Sequence, residues 1–188
     1  MLPVITTERL RLRPLSRADL DDFHEYCKVK GVGESAGWIH HSSLAESRFV
    51  LNRLLSATTQ SIFALELRAS GKMIGTIGIK DILGVGSVFR PLFGFEIGYV
   101  LSKDYWGQGL MPEAVGKVLR YCFAVLNAKA LYLDIFEGND RSMGVAKKLG
   151  FAFIGKDVEP TKFASGTFLV NHFMLSRDEW SRNKQGVV

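Results

Sequence analysis

The sequence predicts an α+β fold, because it combines strand-like alternation with helix-like spacing of apolar residues. With 188 residues, 47% hydrophobic and 23% charged, it fits one compact domain over residues 1–188. Predicted strands lie near 8–13, 61–68, 72–80, 93–101, 130–136, 151–155 and 167–175. Predicted helices lie near 17–28, 44–56 and 140–149, with a further helix that begins close to Pro112.

The strand at 93–101 has the clearest alternation. Phe95, Ile97 and Tyr99 share one face with Phe93 and Leu101, whereas Glu96 lies on the other face between Gly94 and Gly98. We expect a half-buried strand in which the two glycines leave open volume beside Glu96. A turn at Ala69–Lys72 joins the preceding two strands as a hairpin.

Local signals also mark where helices begin and end. Ser16 with Asp19 and Ser43 with Glu46 have capping-box spacing, which predicts two helix starts. Asn139 or Asp140 caps the helix at 140–149, and Gly150 stops it.

A Gly-x-Gly turn connects the strand at 93–101 to the helix that contains Pro112. Proline suits a first helical turn, so the amides of 107–111 lack intrahelical partners and face the positive end of the helix dipole. Such an end binds anions, and Gly107 and Gly109 permit positive φ. A purely structural strand-to-helix turn explains the pattern equally well. The sequence matches neither the P-loop nor the dinucleotide-binding fingerprint.

Composition excludes several other classes of protein. The net charge of +5 suits a polyanionic ligand, but no basic run indicates direct nucleic-acid binding. We find no apolar run near 18 residues and no signal-peptide pattern, and therefore expect a soluble, cytoplasmic protein without membrane contact. Cys27 and Cys122 are expected in the core. The four histidines lack metal-ligand spacing, so no metal is expected.

The segment W-G-Q-G-L-M at Trp106–Met111 resembles the coenzyme-A motif of the GCN5-related N-acetyltransferases, usually [QR]-x-x-G-x-[GA]. Trp106 and Met111 depart from that form, although Trp-Gly-x-Gly is common in the ribosomal-protein N-acetyltransferase branch. Four other segments resemble this branch in the expected order: Glu8–Pro14, Gly71–Ile79, Gly138–Phe151 and Phe173–Trp180, the last as the closing strand.

The resemblance implies a mixed, mostly antiparallel sheet of about seven strands that splays apart between 93–101 and 130–136. Acetyl-CoA would lie in that gap. The residues it implies for CoA binding are Tyr99, Val100, Leu101, Trp106, Gly107, Gln108, Gly109, Leu110, Met111, Asn139, Ser142 and Lys147. The first three would pair with pantetheine through their backbone, and 107–111 would bind the pyrophosphate. Asn139 serves equally as a helix cap, and Lys147 as a solvated lysine.

The resemblance also suggests catalytic roles. Glu96 is the candidate base that accepts the amine proton through a water, and an exposed strand glutamate is the alternative. A backbone N–H near Tyr99 or Val100 would polarise the thioester. Ala146 stands where many relatives carry a tyrosine acid, so Ser142 is the candidate proton donor, or it only helps to cap its helix.

Two loops are candidate walls of the acceptor site. Lys30–Ser43 contains Trp38 and His41, although Trp38 serves equally as a core anchor. Asp81–Leu92 contains Val85, Val88 and Phe89, while His172 is expected to be a core or rim histidine.

Three functions stay open. The first is acetylation of a protein N-terminal α-amine, as on a ribosomal protein, and the second is acetylation of a polyamine or aminoglycoside. The third is a non-catalytic acyl-CoA-binding module. Homodimers are common in the family, but no motif here indicates one.

Overall fold

The computed structural model describes residues 2–82, 89–160 and 167–185, which build one eight-stranded sheet. The strand order across the sheet is β1-β2-β3-β4-β5-β6-β8-β7. The strands are β1 (Ile5–Thr6), β2 (Leu10–Pro14), β3 (Gln60–Leu67), β4 (Met73–Asp81), β5 (Gly94–Leu101), β6 (Ala130–Phe136), β7 (Ala152–Pro160) and β8 (Thr167–Ser176). This confirms the predicted α+β sheet, with the short β1 as an additional strand.

Five α-helices flank the sheet in the described part of the chain. They are α1 (Leu20–Cys27), α2 (Leu44–Ser56), α3 (Leu110–Ala124), α4 (Asp140–Lys148) and α5 (Arg177–Gln185). Short 3-10 turns at Arg17–Asp19, Glu34–Ala36 and Lys103–Tyr105 precede α1, α2 and α3. The helices predicted at 17–28, 44–56 and 140–149 are confirmed within a few residues.

The register of the sheet creates the gap that the resemblance implied. All described neighbouring strands pair antiparallel except β5 and β6, which are parallel. These two strands pair only where Gly94–Glu96 meet Ala130–Tyr132. Beyond Glu96 they are unpaired with each other, so the sheet opens towards their C-terminal ends.

Each face of the sheet packs against its own helices. On one face, α3 and α4 cover a core in which Val115, Val118 and Leu133 are buried. On the other face, α1 and α2 enclose a smaller core around Phe23, Tyr26 and Leu51. Cys27 and Cys122 are buried in these two cores, as the sequence predicted.

The strand predicted near 167–175 is confirmed, but the segment Phe173–Trp180, which resembles the closing strand of the branch, extends past its end. β8 ends at Ser176, and Arg177 begins α5, so the strand interpretation of Phe173–Trp180 is wrong beyond Ser176. The Ser176 amide and hydroxyl donate to the Glu179 carboxylate at 2.9 and 2.6 Å, and the Glu179 amide donates back at 3.3 Å. Ser-x-x-Glu is a capping-box signal that the sequence interpretation overlooked.

The expectation of open volume beside Gly94 is also wrong. A Cβ atom at Gly94 would lie 1.9 Å from the Ala130 carbonyl oxygen, so glycine is required there by the closeness of β6. Gly98 fits the expectation, because a Cβ there would have no described atom within 4 Å. Open volume therefore lies on only one side of Glu96.

Among the described helices, none has both the length and the apolar character that a membrane span requires.

Candidate active site

A cleft of about 1220 Å³ runs from the gap between β5 and β6 to the loop before α2. Its floor crosses β4 and β5, where Gly78 and Gly98 stand opposite each other in register. Because neither residue has a side chain, the floor stays open beside Glu96. Trp38 and His41 line the same cleft at its α1–α2 end, so all three proposed acceptor residues border one space.

The Gly-x-Gly turn forms one end of the cleft. Gly107 and Gly109 both have φ of +75°, a conformation that L-residues with side chains rarely adopt, and α3 begins at Leu110. Gly107, Gly109, Leu110 and Met111 line the cleft. The helix start thus presents its unpaired amides and positive dipole end to this space.

Arg9 holds the Gly-x-Gly turn and the first turn of α3 through hydrogen bonds. Its Nη1 donates to the Gln108 carbonyl oxygen at 2.8 Å, and its Nε donates to Glu113 Oε2 at 2.7 Å. Burial raises the pKa of Glu113, but hydrogen bonds from Thr7 and Arg9 outweigh it and leave a net lowered pKa. Gln108, one of the proposed CoA residues, lies outside the cleft lining, and its Nε2 donates to the Asp104 carbonyl oxygen at 3.0 Å.

One face of α4 supplies cations to the same end. Arg141, Gly144, Val145 and Lys148 line the cleft at helical spacing, whereas Lys147 is exposed outside the lining. The Arg141 guanidinium lies 3.8 Å from the Trp106 ring centroid, a cation–π contact. Trp106 Nε1 in turn donates to the Leu101 carbonyl oxygen at 2.9 Å.

This donor set suits the pyrophosphate and 3′-phosphate of CoA. Backbone amides at a helix start and two nearby cations are the groups that bind phosphates in proteins. A Cβ at Gly107 would meet no described atom within 4 Å, so the backbone can be approached closely. Within residues 2–82, 89–160 and 167–185 no group of His, Cys, Asp or Glu could hold a metal ion.

The start of α4 faces β5 across the gap. The Asn139 side-chain oxygen accepts from the Ser142 amide at 3.2 Å, and its Nδ2 donates to the Ser35 carbonyl oxygen at 2.8 Å. Asn139 is therefore a helix cap that also holds the loop before α2. The hydroxyl oxygens of Tyr99 and Ser142 lie 2.7 Å apart. Burial raises the pKa of Tyr99 to about 12.

Glu96 belongs to a charge cluster that sequence reasoning missed. Its Oε2 lies 3.3 Å from Lys80 Nζ and 3.2 Å from Arg90 Nη2. Arg90 also pairs with Asp134 on β6 and so bridges the two diverging strands. His172 Nδ1 lies 2.9 Å from Asp134 Oδ1, which makes this buried histidine a support for the cluster. Strand alternation places Lys80 and Asp134 on the face of Glu96, a signal that could have found them.

The loop before α2, which the sequence predicts to border the acceptor, forms the other end of the cleft. His41 is buried, and its Nδ1 lies 2.8 Å from Ser47 Oγ, which is also 2.8 Å from His24 Nδ1. Burial lowers the pKa of His41 despite the opposing charge of Glu46. Trp38 packs against the smaller core and lies 5.0 Å from His41 between ring centroids. Trp38 therefore both anchors this loop and borders the cleft.

The second predicted wall is described only in part. Val85 and Val88 belong to 83–88, which lie outside the described residues. The Phe89 ring stacks on His172 with centroids 4.4 Å apart, so this end of the loop covers the charge cluster.

Comparisons with known sequences identify the family of this chain. Residues 9–152 match the family model described as "Acetyltransferase (GNAT) domain". An uncharacterized N-acetyltransferase p20 of Bacillus licheniformis is 26% identical over 166 residues, covering 86% of this chain and 90% of that protein. Spermidine N(1)-acetyltransferase of Escherichia coli K12 is 25% identical over 147 residues, covering 78% and 75%.

Solved structures share the fold. Spermidine N-acetyltransferase from Vibrio cholerae, in complex with CoA and spermine, has a TM-score of 0.73 at 19% identity, covering 92% of this chain and 98% of that one. The ribosomal-protein-S5-alanine acetyltransferase from Vibrio fischeri also has a TM-score of 0.73, at 20% identity, covering 95% and 99%. The chain belongs to the GNAT acetyltransferase family and is an N-acetyltransferase that uses acetyl-CoA.

Proposed function

We propose that this enzyme transfers the acetyl group directly to the α-amine of a protein N-terminus. A ribosomal protein is the acceptor class favoured by the sequence resemblance. The observation that carries the proposal is the charge balance of the acceptor end. Apart from Arg141 and Lys148, which lie at the Gly-x-Gly end, the cleft is lined by three carboxylates, Glu46, Glu96 and Asp134, and by three cationic side chains, Arg53, Lys80 and Arg90.

Each carboxylate already has a partner. Glu96 is paired with Lys80 and Arg90, and Asp134 shares Arg90. Glu46 accepts from the Ser42 amide and hydroxyl at 2.7 and 2.8 Å. Segments 83–88 and 161–166 contain no Asp or Glu, so they add no acidic group. A peptide N-terminus brings one ammonium group and fits this balance.

The low pKa of the proposed acceptor amine also makes the reaction easier, because less of the amine has to lose a proton. An α-amine has a pKa near 8, so a substantial fraction is already neutral near pH 7.5, whereas a lysine-like amine is almost fully protonated. Glu96 would accept the remaining amine proton through a water above the Gly78 and Gly98 floor. Attack of the neutral amine forms the N–C bond and releases the CoA sulfur, without an enzyme-bound acyl group.

The cofactor assignments follow the same geometry. The backbone of Tyr99, Val100 and Leu101 would pair with pantetheine along the unpaired side of β5. Amides between Gly107 and Met111 would hold the pyrophosphate, flanked by Arg141 over Trp106. Lys148 is the α4 cation that we assign to a CoA phosphate in place of Lys147.

A polyamine is the second candidate acceptor, because spermidine acetyltransferases are among the relatives. A polyamine carries additional ammonium groups that need carboxylate partners. Glu96 and Asp134 could provide them only by giving up Arg90 and Lys80, and Glu46 offers a single carboxylate that is already bonded to Ser42. The charge balance therefore favours the peptide.

The test is acetylation of a panel comprising N-terminal peptides, spermidine, aminoglycosides and free amino acids, with mass spectrometry of the products. We expect peptides acetylated at the α-amine to have the highest kcat/KM. Preferential acetylation of spermidine would overturn the acceptor assignment. If no member of the panel is acetylated although CoA binds normally, that result is the one expected of a non-catalytic acyl-CoA-binding module. That the chain forms one domain, lies in the cytoplasm and can form a homodimer are predictions that stay to be tested.

A further inference from the structure

The side chains of Tyr99 and Ser142 meet across the gap between β5 and α4. Their hydroxyl oxygens are 2.7 Å apart, and both residues line the cleft. Tyr99 belongs to the strand face that points towards α3 and α4, opposite to the face of Glu96. The hydroxyl pair and the carboxylate cluster therefore lie on the two faces of the same strand.

The pair has one more proton than its internal hydrogen bond uses. Two hydroxyls carry two protons, and only one of them can lie between the oxygens. The Tyr99 hydroxyl also lies 3.4 Å from the Ser142 carbonyl oxygen, which is long for a strong hydrogen bond. One hydroxyl proton is thus available to a group in the cleft, whichever of the two oxygens carries it.

We propose that Tyr99 and Ser142 act as one hydrogen-bond donor to the sulfur that leaves when acetyl transfer occurs. The inference rests on the proposed acetyl-CoA site and adds the Tyr99 hydroxyl to the catalytic groups. Because burial raises the pKa of Tyr99 to about 12, the phenol stays protonated at neutral pH and keeps its donor. Ser142 alone would lack a partner that fixes the direction of its proton.

The step balances in atoms and charge. As the amine nitrogen bonds to the carbonyl carbon, the C–S bond breaks and its electron pair passes to sulfur. The free hydroxyl proton of the pair bonds to that sulfur and can transfer to it. The pair then shares its remaining proton and regains the other from water, while the amine gives up its proton through Glu96.

Other charged groups surround the pair and must be separated from its effect. Arg141 precedes Ser142 on α4 and stacks on Trp106, and Lys148 lies on the same face of that helix. Glu96 and Asp134 line the cleft from β5 and β6. The two cations also favour a thiolate, so the experiment must remove the hydroxyls and leave these charges in place.

The experiment measures the acid dissociation of the CoA thiol bound to the enzyme, from thiolate ultraviolet absorbance without any acceptor. A donor to sulfur stabilises the thiolate, so bound CoA should be more acidic than free CoA. We expect Tyr99→Phe and Ser142→Ala each to lower the acid dissociation constant of the bound CoA thiol about tenfold. That change corresponds to the loss of one hydrogen bond to a charged group. Tyr121→Phe, which removes a hydroxyl from α3, is the matched control and should change nothing.

The double variant shows whether the hydroxyls act together. If they form one donor, Tyr99→Phe combined with Ser142→Ala should lower the constant no further than either single change. Equal thiol acidity in Tyr99→Phe and the parent would overturn the proposal. Calorimetry of CoA binding separates this outcome from failure of the cofactor site: if the parent does not bind CoA, the proposed function itself fails.

Discussion

A Cβ atom on Gly94 would lie 1.9 Å from the Ala130 carbonyl oxygen, closer than real atoms approach. This contact stands where β5 and β6 begin their short parallel pairing, before they separate to form the cleft. The glycine allows the two strands to meet at one end and to diverge at the other. The gap therefore depends on a residue to which we assign no chemical role.

Gly94→Ala is expected to lower the free energy of unfolding by about 3 kcal/mol, because backbone atoms must shift to admit the methyl group. For a chain of this size that corresponds to a fall in Tm of about 6–12 °C. Gly98→Ala is the matched control on the same strand, where a Cβ meets no described atom within 4 Å. Its stability should stay within about 1 kcal/mol of the parent in denaturant titrations. Equal losses in both variants would contradict the close approach.

Gly107→Ala should cost about 1 kcal/mol of stability through its positive φ and weaken CoA binding about tenfold. The alanine methyl group would occupy the space through which a phosphate reaches the loop amides. Gly71→Ala provides a close control, since Gly71 has φ of +74° in a hairpin and also has open space around it. That variant should lose similar stability and bind CoA normally in calorimetry. Normal CoA affinity in Gly107→Ala would remove the loop from the pyrophosphate site.

Neighbouring lysines on α4 should differ in their effect on the cofactor. Lys148 lines the cleft and Lys147 does not, so Lys148→Gln should raise the Kd for CoA about fivefold at low salt, and Lys147→Gln should leave it unchanged. The difference should shrink as salt screens the charges. Titrations of both variants at two ionic strengths check this. A larger effect from Lys147 would restore the assignment made from the sequence.

Glu96→Gln should lower kcat/KM for the amine acceptor about 100-fold, because the amide cannot accept the amine proton. Lys80→Gln leaves the carboxylate in place and removes only one exposed ion pair, so its effect should stay within about threefold. Steady-state kinetics with a peptide acceptor and saturating acetyl-CoA distinguish the two variants. Comparable activity of Glu96→Gln and the parent would exclude Glu96 as the base.

The Arg13–Asp19 ion pair should make stability depend on pH. Burial raises the pKa of Asp19, but hydrogen bonds from Arg13 and Ser16 outweigh it, so the net pKa is lowered. A lowered carboxyl pKa stabilises the fold above the unfolded value near 3.9, and that contribution disappears as pH falls through the folded value. Asp19→Asn should therefore cost about 2 kcal/mol at pH 7 and progressively less below pH 4.

Asp21→Asn is the control, because Asp21 is exposed. We expect it to change the free energy of unfolding by less than about 0.5 kcal/mol both at pH 7 and near pH 3. Urea titrations of both variants at pH 7 and near pH 3 are sufficient. A loss for Asp19→Asn that is independent of pH would show that shape, not charge, is what Asp19 contributes.

The sequence predicted the parts of this molecule that local patterns encode. Alternation identified β5, and Pro112 with two glycines identified the start of α3, because these signals depend on neighbours in the chain. The capping box that begins α5 was equally local and was overlooked. Lys147 was preferred to Lys148 because helical spacing alone does not show which face of α4 meets the cleft.

Contacts between distant residues could not be predicted in this way. The role of Gly94 depends on Ala130, which approaches it only after β5 and β6 pair. Arg90 lies in a loop whose pattern gives no direction for its side chain, yet it bridges Glu96 and Asp134. The Tyr99–Ser142 hydrogen bond likewise joins a strand and a helix that are 43 positions apart.

We expect acetyl-CoA to occupy the gap between β5 and β6 with its sulfur at the Tyr99–Ser142 pair. A crystal structure of the protein with CoA tests this most directly. The pyrophosphate should lie at the amides between Gly107 and Met111, and the thiol within hydrogen-bond distance of Tyr99 or Ser142. CoA bound outside the gap, or with its thiol remote from both hydroxyls, would contradict it.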